Sequence, residues 1–164
     1  MSAAQPRIRD ITPADKAALR RLHARLSDES RYRRFHSAKT ELTRGDLKYL
    51  TEIDGHDHVA LVAEDPARPG ELLGVVRAVR SGAGSREAEI AIVVRDDLQM
   101  HGLGAVLVDA LRRRVDCEGV GALVAEVQGD NHRALRFFQG QGARQRQGGS
   151  GGGVWSLELP VRLP

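Results

Sequence analysis

Gly102 and Gly104 stand two apart in the run Gln99-Met100-His101-Gly102-Leu103-Gly104-Ala105, after an apolar stretch ending at Val94 and before leucines at helical spacing. A strand that leads through a glycine turn into a helix presents unpaired backbone N–H groups and the positive end of a helix dipole, so its natural guest is an anion. Phosphate is the leading candidate. The run is not a P-loop, because no Gly-Lys-Ser/Thr follows at the required spacing. It is not the dinucleotide fingerprint either, because Leu107 stands where the third glycine belongs. A lone Gly-x-Gly is equally an ordinary tight turn, so the choice rests on its surroundings.

Other reactive patterns are few. His56-Asp57-His58 invites a metal reading, but adjacent ligands on a strand point to opposite faces and no third ligand follows at suitable spacing, so no metal is expected. Cys117 is the only cysteine, which excludes an internal disulfide and agrees with a reducing, cytoplasmic setting. Formal charge is only +3, and 22 of the 25 basic residues are Arg, so the basic balance is no argument for a nucleic-acid partner. Apolar runs such as 59–63 and 122–125 are too short to cross a bilayer, and the N-terminus has no apolar leader core, so no membrane partner is expected. At 164 residues the sequence reads as a single domain, 1–164.

The elements that must position the glycine turn follow from periodicity. Residues 8–11 start a strand, and Thr12-Pro13 opens a helix carrying Leu19, Leu22 and Leu26 on one face. Thr43 and Asp46 have capping-box spacing before Leu47 and Leu50, which predicts a second, short helix. Residues 59–64, 72–80 and 88–94 read as three successive strands of an antiparallel meander. At Gly102 the period changes: Leu103, Leu107 and Leu111 mark a helix to Gly119. A buried strand over 122–127, a helix capped by Asp130 or Asn131 and running through Phe138, and a strand pair at 143–147 and 154–159 complete the chain. The expected class is a mixed α/β sheet.

In that setting Gln99, Gly102 and Gly104 resemble the Q/R-x-x-G-x-G/A signature of the GNAT N-acetyltransferase family. Asn131, Ala134, Phe137 and Gly142 resemble its second signature, N-x-x-A-x-x-F-Y-x-x-x-G. The resemblance spans 8–159, and the stretches 30–36, 42–43, 58–63 and 88–91 look like the catalytic domain of bacterial protein lysine acetyltransferases, the group that modifies acetyl-CoA synthetase. It implies a sheet of about seven strands with flanking helices and acetyl-CoA between the fourth and fifth strands. The pyrophosphate would lie on the backbone of Gln99, Met100, His101, Gly102, Leu103, Gly104 and Ala105, and the pantetheine against Val94 and Asn131.

Acyl transfer to a lysine needs a base, since an amine of pKa near 10.4 is only about 0.04% neutral at pH 7. Strand alternation puts Glu89 on the face of Ala91 and Val93, where partial burial would raise its pKa, and it is the expected base. Glu126 is held in reserve. Phe138 stands where many family members have a tyrosine that protonates the departing thiolate, and it is expected in the core. Arg112, Arg113 and Arg114 are expected on a solvated face, with one near the CoA ribose phosphate. Arg33 and Arg34, in an arm that also carries Arg31, Tyr32, Phe35 and His36, are expected to bind the acceptor, since Arg and aromatic residues concentrate at protein interfaces. The expected acceptor is a lysine of a protein such as an acyl-CoA synthetase. The alternatives are a small-amine or antibiotic acetyltransferase, and a catalytically weak acyl-CoA-binding module to which Phe138 hints.

Overall fold

The computed structural model describes residues 4–27, 41–99, 102–147 and 153–163. Strand β1 (Arg7–Asp10) leads through a turn at Pro13–Asp15 into α1 (Lys16–Ala24), and α2 (Arg44–Thr51) precedes the meander of β2 (His58–Glu64), β3 (Leu72–Arg80) and β4 (Glu87–Val94). A single turn at Asp96–Leu98 and the glycine turn deliver the chain to α3 (Leu103–Asp116). Then come β5 (Ala122–Gln128), α4 (His132–Gly140), β6 (Arg144–Gln145) and β7 (Val154–Pro160). The seven strands form one sheet in the order β1-β2-β3-β4-β5-β7-β6, antiparallel throughout except that β4 pairs β5 in parallel.

Period-two alternation divides the strands between two cores. Val59, Leu61, Val76, Ala88, Ile90, Leu123 and Leu157 face α3 and α4, where Leu107, Leu111 and Val115 are fully buried. On the other face Ala60, Val62 and Val75 meet Leu19 and Leu22 of α1 and Leu47 and Leu50 of α2. Helix α2 starts as its spacing predicts: Asp46 N–H donates to Thr43 Oγ1 at 3.1 Å, and Thr43 N–H donates back to Asp46 Oδ2 at 2.7 Å. The start of the chain is pinned by Arg9, which donates to both oxygens of Asp15 (2.8 and 2.7 Å) and to Glu64 (2.8 Å). The strand expected over 143–147 shrinks to two residues at the sheet edge, although Arg146 N–H still donates to Ser156 O at 2.9 Å. Among the described residues no helix is long and apolar enough to cross a membrane.

Candidate active site

Strands β4 and β5 are paired at only three positions, Glu87 with Ala122, Ala88 with Leu123 and Glu89 with Val124. Beyond Glu89 they part, β4 continuing beside β3 to Val94 and β5 beside β7 to Gln128. Arg95 N–H donates to Leu73 O at 2.9 Å, so in an antiparallel ladder the neighbouring groups of Val94 turn the other way, towards β5. The result is a cleft with a strand edge on each side. The N-termini of α3 and α4 both open at its mouth, because each helix directly follows one of the parted strands.

At the first of these termini Gly102 has φ +87° and ψ −6°, a left-handed conformation that a side chain disfavours, and a Cβ there would meet nothing within 4 Å. The first helical hydrogen bond runs from Val106 N–H to Gly102 O at 3.2 Å, which places the N–H groups of Leu103, Gly104 and Ala105 ahead of the ladder. These are the donors an anion would use. A Cβ at Gly104 would lie 3.0 and 3.1 Å from Cε2 and Cζ of Phe137, so α3 and α4 meet through the missing side chain. At the second terminus Asn131 Oδ1 accepts from Ala134 N–H at 3.2 Å, capping α4 and leaving its Nδ2 as the group to offer a ligand. Gln99 lies across the turn, its Nε2 donating to Val94 O at 3.1 Å and its Oε1 accepting from Arg133 Nη1 at 2.7 Å. Met100 and His101 lie outside the described residues.

Glu89 occupies the last paired position before the strands part, on the face that α1 and α2 cover. The partial burial expected of it is not found. Those helices pack over Val93, but the Glu89 side chain is exposed. Register places three more carboxylates on this face. Glu87 takes two bonds from Arg146 (3.1 and 3.0 Å), Glu158 lies 3.5 Å from the same guanidinium, and Glu126 accepts from Ser156 Oγ at 3.0 Å. Glu89 alone of the four makes no hydrogen bond or ion pair among the described residues. Beside it a small pocket opens between α1, α2 and the sheet, lined in part by Leu22, His23, Leu50, Arg77 and Ala91. Arg77 is buried, with Nη1 bonded to Leu50 O at 3.2 Å and to His58 Nε2 at 2.8 Å. Sequence reading passed over it, although one Arg in the apolar run of β3 was the signal.

The remaining candidates are placed elsewhere. Arg112 is not on a solvated face: it is buried, bonded to Pro160 O at 3.1 Å and to Gln141 O, and burial pulls its pKa down. Arg113 pairs with Asp109, and Arg114 with Asp10 and Glu118, so all three have protein partners in the second half of α3. Cys117 is exposed just past the far end of the same helix. His56 Nδ1 engages Glu118 at 2.7 Å while His58 turns to Arg77, so the two rings have separate partners. Phe138 is buried in the core beneath α4. Arg33 and Arg34, with Arg31, Tyr32, Phe35 and His36, lie outside the described residues.

Comparison with known proteins accounts for this architecture. Residues 19–143 match the model of the acetyltransferase (GNAT) family. Acetyltransferase Pat of Mycolicibacterium smegmatis is 34% identical over 136 residues, which cover 83% of this chain and 40% of that protein. The crystal structure of the GNAT domain of S. lividans PAT is 31% identical and superposes with a TM-score of 0.88, covering 94% of this chain and 90% of that one. A cAMP-binding acyltransferase from Mycobacterium smegmatis is 29% identical with a TM-score of 0.63, covering 99% of this chain and 47% of its own. The chain therefore spans less than half the length of the two mycobacterial proteins.

Proposed function

The chain belongs to the GNAT acetyltransferase family, and on that footing we propose that it moves the acetyl group of acetyl-CoA to a lysine amine of a folded protein, with an acyl-CoA synthetase as the leading target. The parting of β4 and β5, with the donors of Leu103, Gly104 and Ala105 at its mouth, is the observation that carries the reading. A pyrophosphate on those donors lets the pantetheine run inward along the Val94 edge, with Asn131 Nδ2 beside it, towards the end where the strands close and Glu89 stands. Glu89 takes a proton from the ammonium, directly or through water, and the amine nitrogen bonds to the thioester carbonyl carbon. A backbone N–H near Val94 stabilises the developing oxyanion, and the C–S bond then breaks. The thiolate takes, directly or through water, the proton that the attacking nitrogen loses as the amide forms, because Phe138 has no proton to give. Glu126 is the reserve base. The relatives named Pat and PAT support the choice of a protein acceptor, and the lone cysteine fits work in the cytoplasm.

A second reading, a small cationic amine as acceptor, draws support from the carboxylates of Glu87, Glu126 and Glu158 beside Glu89. Arg146 offsets much of that charge. The two are separated by kcat/KM for an intact acyl-CoA synthetase, a short peptide carrying its lysine, and a panel of polyamines and aminoglycosides. Remote contacts should make the intact protein the best substrate by a wide margin, with Arg33→Ala and Arg34→Ala eroding that margin at unchanged acetyl-CoA affinity. A small amine turned over as efficiently as any protein would replace the lysine reading. Release of no CoA with any acceptor would leave only a binding module.

A further inference from the structure

Arg133 has no part in the scheme above, yet its side chain spans the mouth of the cleft. It sits in the first turn of α4, two residues past the cap Asn131. Its guanidinium donates to Gln99 Oε1 at 2.7 Å, and the Nε2 of that same amide donates to Val94 O at 3.1 Å and to Asp96 Oδ1 at 3.3 Å. A chain of contacts therefore runs from the α4 wall, over the first residue of the glycine turn, to a carbonyl of the β4 edge that faces β5. Among the described residues Arg133 makes no ion pair, and it is exposed. A neutral amide oxygen is a weak partner for a guanidinium, whose planar fork bonds a phosphate more strongly.

We propose that Arg133 and Gln99 form a latch that changes partners when acyl-CoA binds: the guanidinium leaves Gln99 for a pyrophosphate oxygen, and Gln99 then yields the Val94 carbonyl to an amide N–H of the pantetheine arm. The inference rests on the placement of the pyrophosphate at Leu103, Gly104 and Ala105. It makes Arg133 a phosphate ligand contributed by the wall opposite the glycine turn. It also makes the nucleotide end of the donor the part that opens the strand edge, so an acyl-pantetheine without a pyrophosphate meets a closed latch. Discrimination against such donors follows from the exchange of partners, without any contact to the acyl group.

Calorimetric titration of acetyl-CoA and of S-acetylpantetheine tests this on wild-type protein, Arg133→Ala, Arg133→Lys and Gln99→Ala. A charge-assisted bond to phosphate predicts that Arg133→Ala weakens acetyl-CoA by about tenfold to a hundredfold, while S-acetylpantetheine binds no worse than to wild type. Arg133→Lys should keep acetyl-CoA within a few-fold. Gln99→Ala, by releasing Val94, should tighten S-acetylpantetheine. Equal weakening of both donors by Arg133→Ala would show that the residue only shapes the wall, and an unchanged acetyl-CoA affinity would remove it as a phosphate ligand. Either result overturns the latch alone. Wild-type protein that binds no acetyl-CoA overturns the pyrophosphate placement and the latch with it.

Discussion

Replacement of Gly102 by alanine isolates the backbone requirement of the glycine turn. At φ +87° an L side chain costs about 1–2 kcal/mol of local strain. Nothing lies within 4 Å of the added Cβ, so no clash adds to that cost. Alanine also narrows the unfolded ensemble, which returns about 0.4–1 kcal/mol. The net expectation is a loss of about 0.5–1 kcal/mol, or roughly 1–4 °C in Tm for a domain of this size. Urea unfolding measures the loss, and calorimetric titration of acetyl-CoA should show a parallel drop in affinity, because relaxation of the turn redirects the N–H groups of Leu103, Gly104 and Ala105. Gly102→Asn, a residue that tolerates the left-handed region, should recover much of both. Alanine that leaves stability and affinity at wild-type values would refute the argument, since the turn would then work equally well in a right-handed conformation.

Three further expectations concern other links. Gly104→Ala sets overpacking against Phe137 of about 1–3 kcal/mol against about 1 kcal/mol of helix propensity, and a double-mutant cycle with Phe137→Leu should show coupling; strict additivity would remove the contact as the reason for glycine. Glu89→Gln should keep acetyl-CoA affinity but lower turnover roughly 10²-fold, with partial rescue at higher pH as more amine becomes neutral, whereas the same loss from Glu126→Gln alone would move the base. Burial alone would raise the Asp15 pKa, but hydrogen bonds from Arg9 and Thr12 outweigh it and hold the carboxyl below its usual value. A depressed carboxylate contributes its stability above the unfolded pKa and loses it as pH falls through the folded one. Asp15→Asn should therefore cost about 2–3 kcal/mol at pH 7 and flatten the acid limb below about pH 4, and a stability–pH curve parallel to wild type would contradict this.

The strands, the capping box at Thr43 and the helix after Gly102 were legible because each is written in local spacing, and the mixed sheet of about seven strands followed from the resemblance built on them. Glu89 shows where spacing stops. Alternation names the face a side chain points to but not how far the covering helices reach along it, and α1 and α2 leave Glu89 exposed. Arg112 fails for the complementary reason: Val108, Leu111 and Val115 beside it on the helix are buried, and its guanidinium reaches carbonyls at Gln141 and Pro160 that no local pattern brings near. Gln99 and Arg133 are 34 residues apart, and the contact between Gly104 and Phe137 likewise joins two helices. Such meetings are set by how elements pack, and a single sequence does not print them.

Three rungs hold the two leaves of the sheet together, and that seam has a mechanical meaning. One leaf carries β1 to β4 and the other β5 to β7, so the fold is a book bound along a short spine, with the core beneath α3 common to both pages. A ligand bonded to both pages supplies the rungs that the strands lack. At a concentration a hundred times its Kd such a ligand adds about 2.7 kcal/mol to the native state. Amide exchange along 90–94 and 125–128 should slow most, since those are the page edges it would hold. The lifetime of the protein would then track the supply of its acyl donor, tying abundance to metabolic state through nothing more than an unfinished strand pairing.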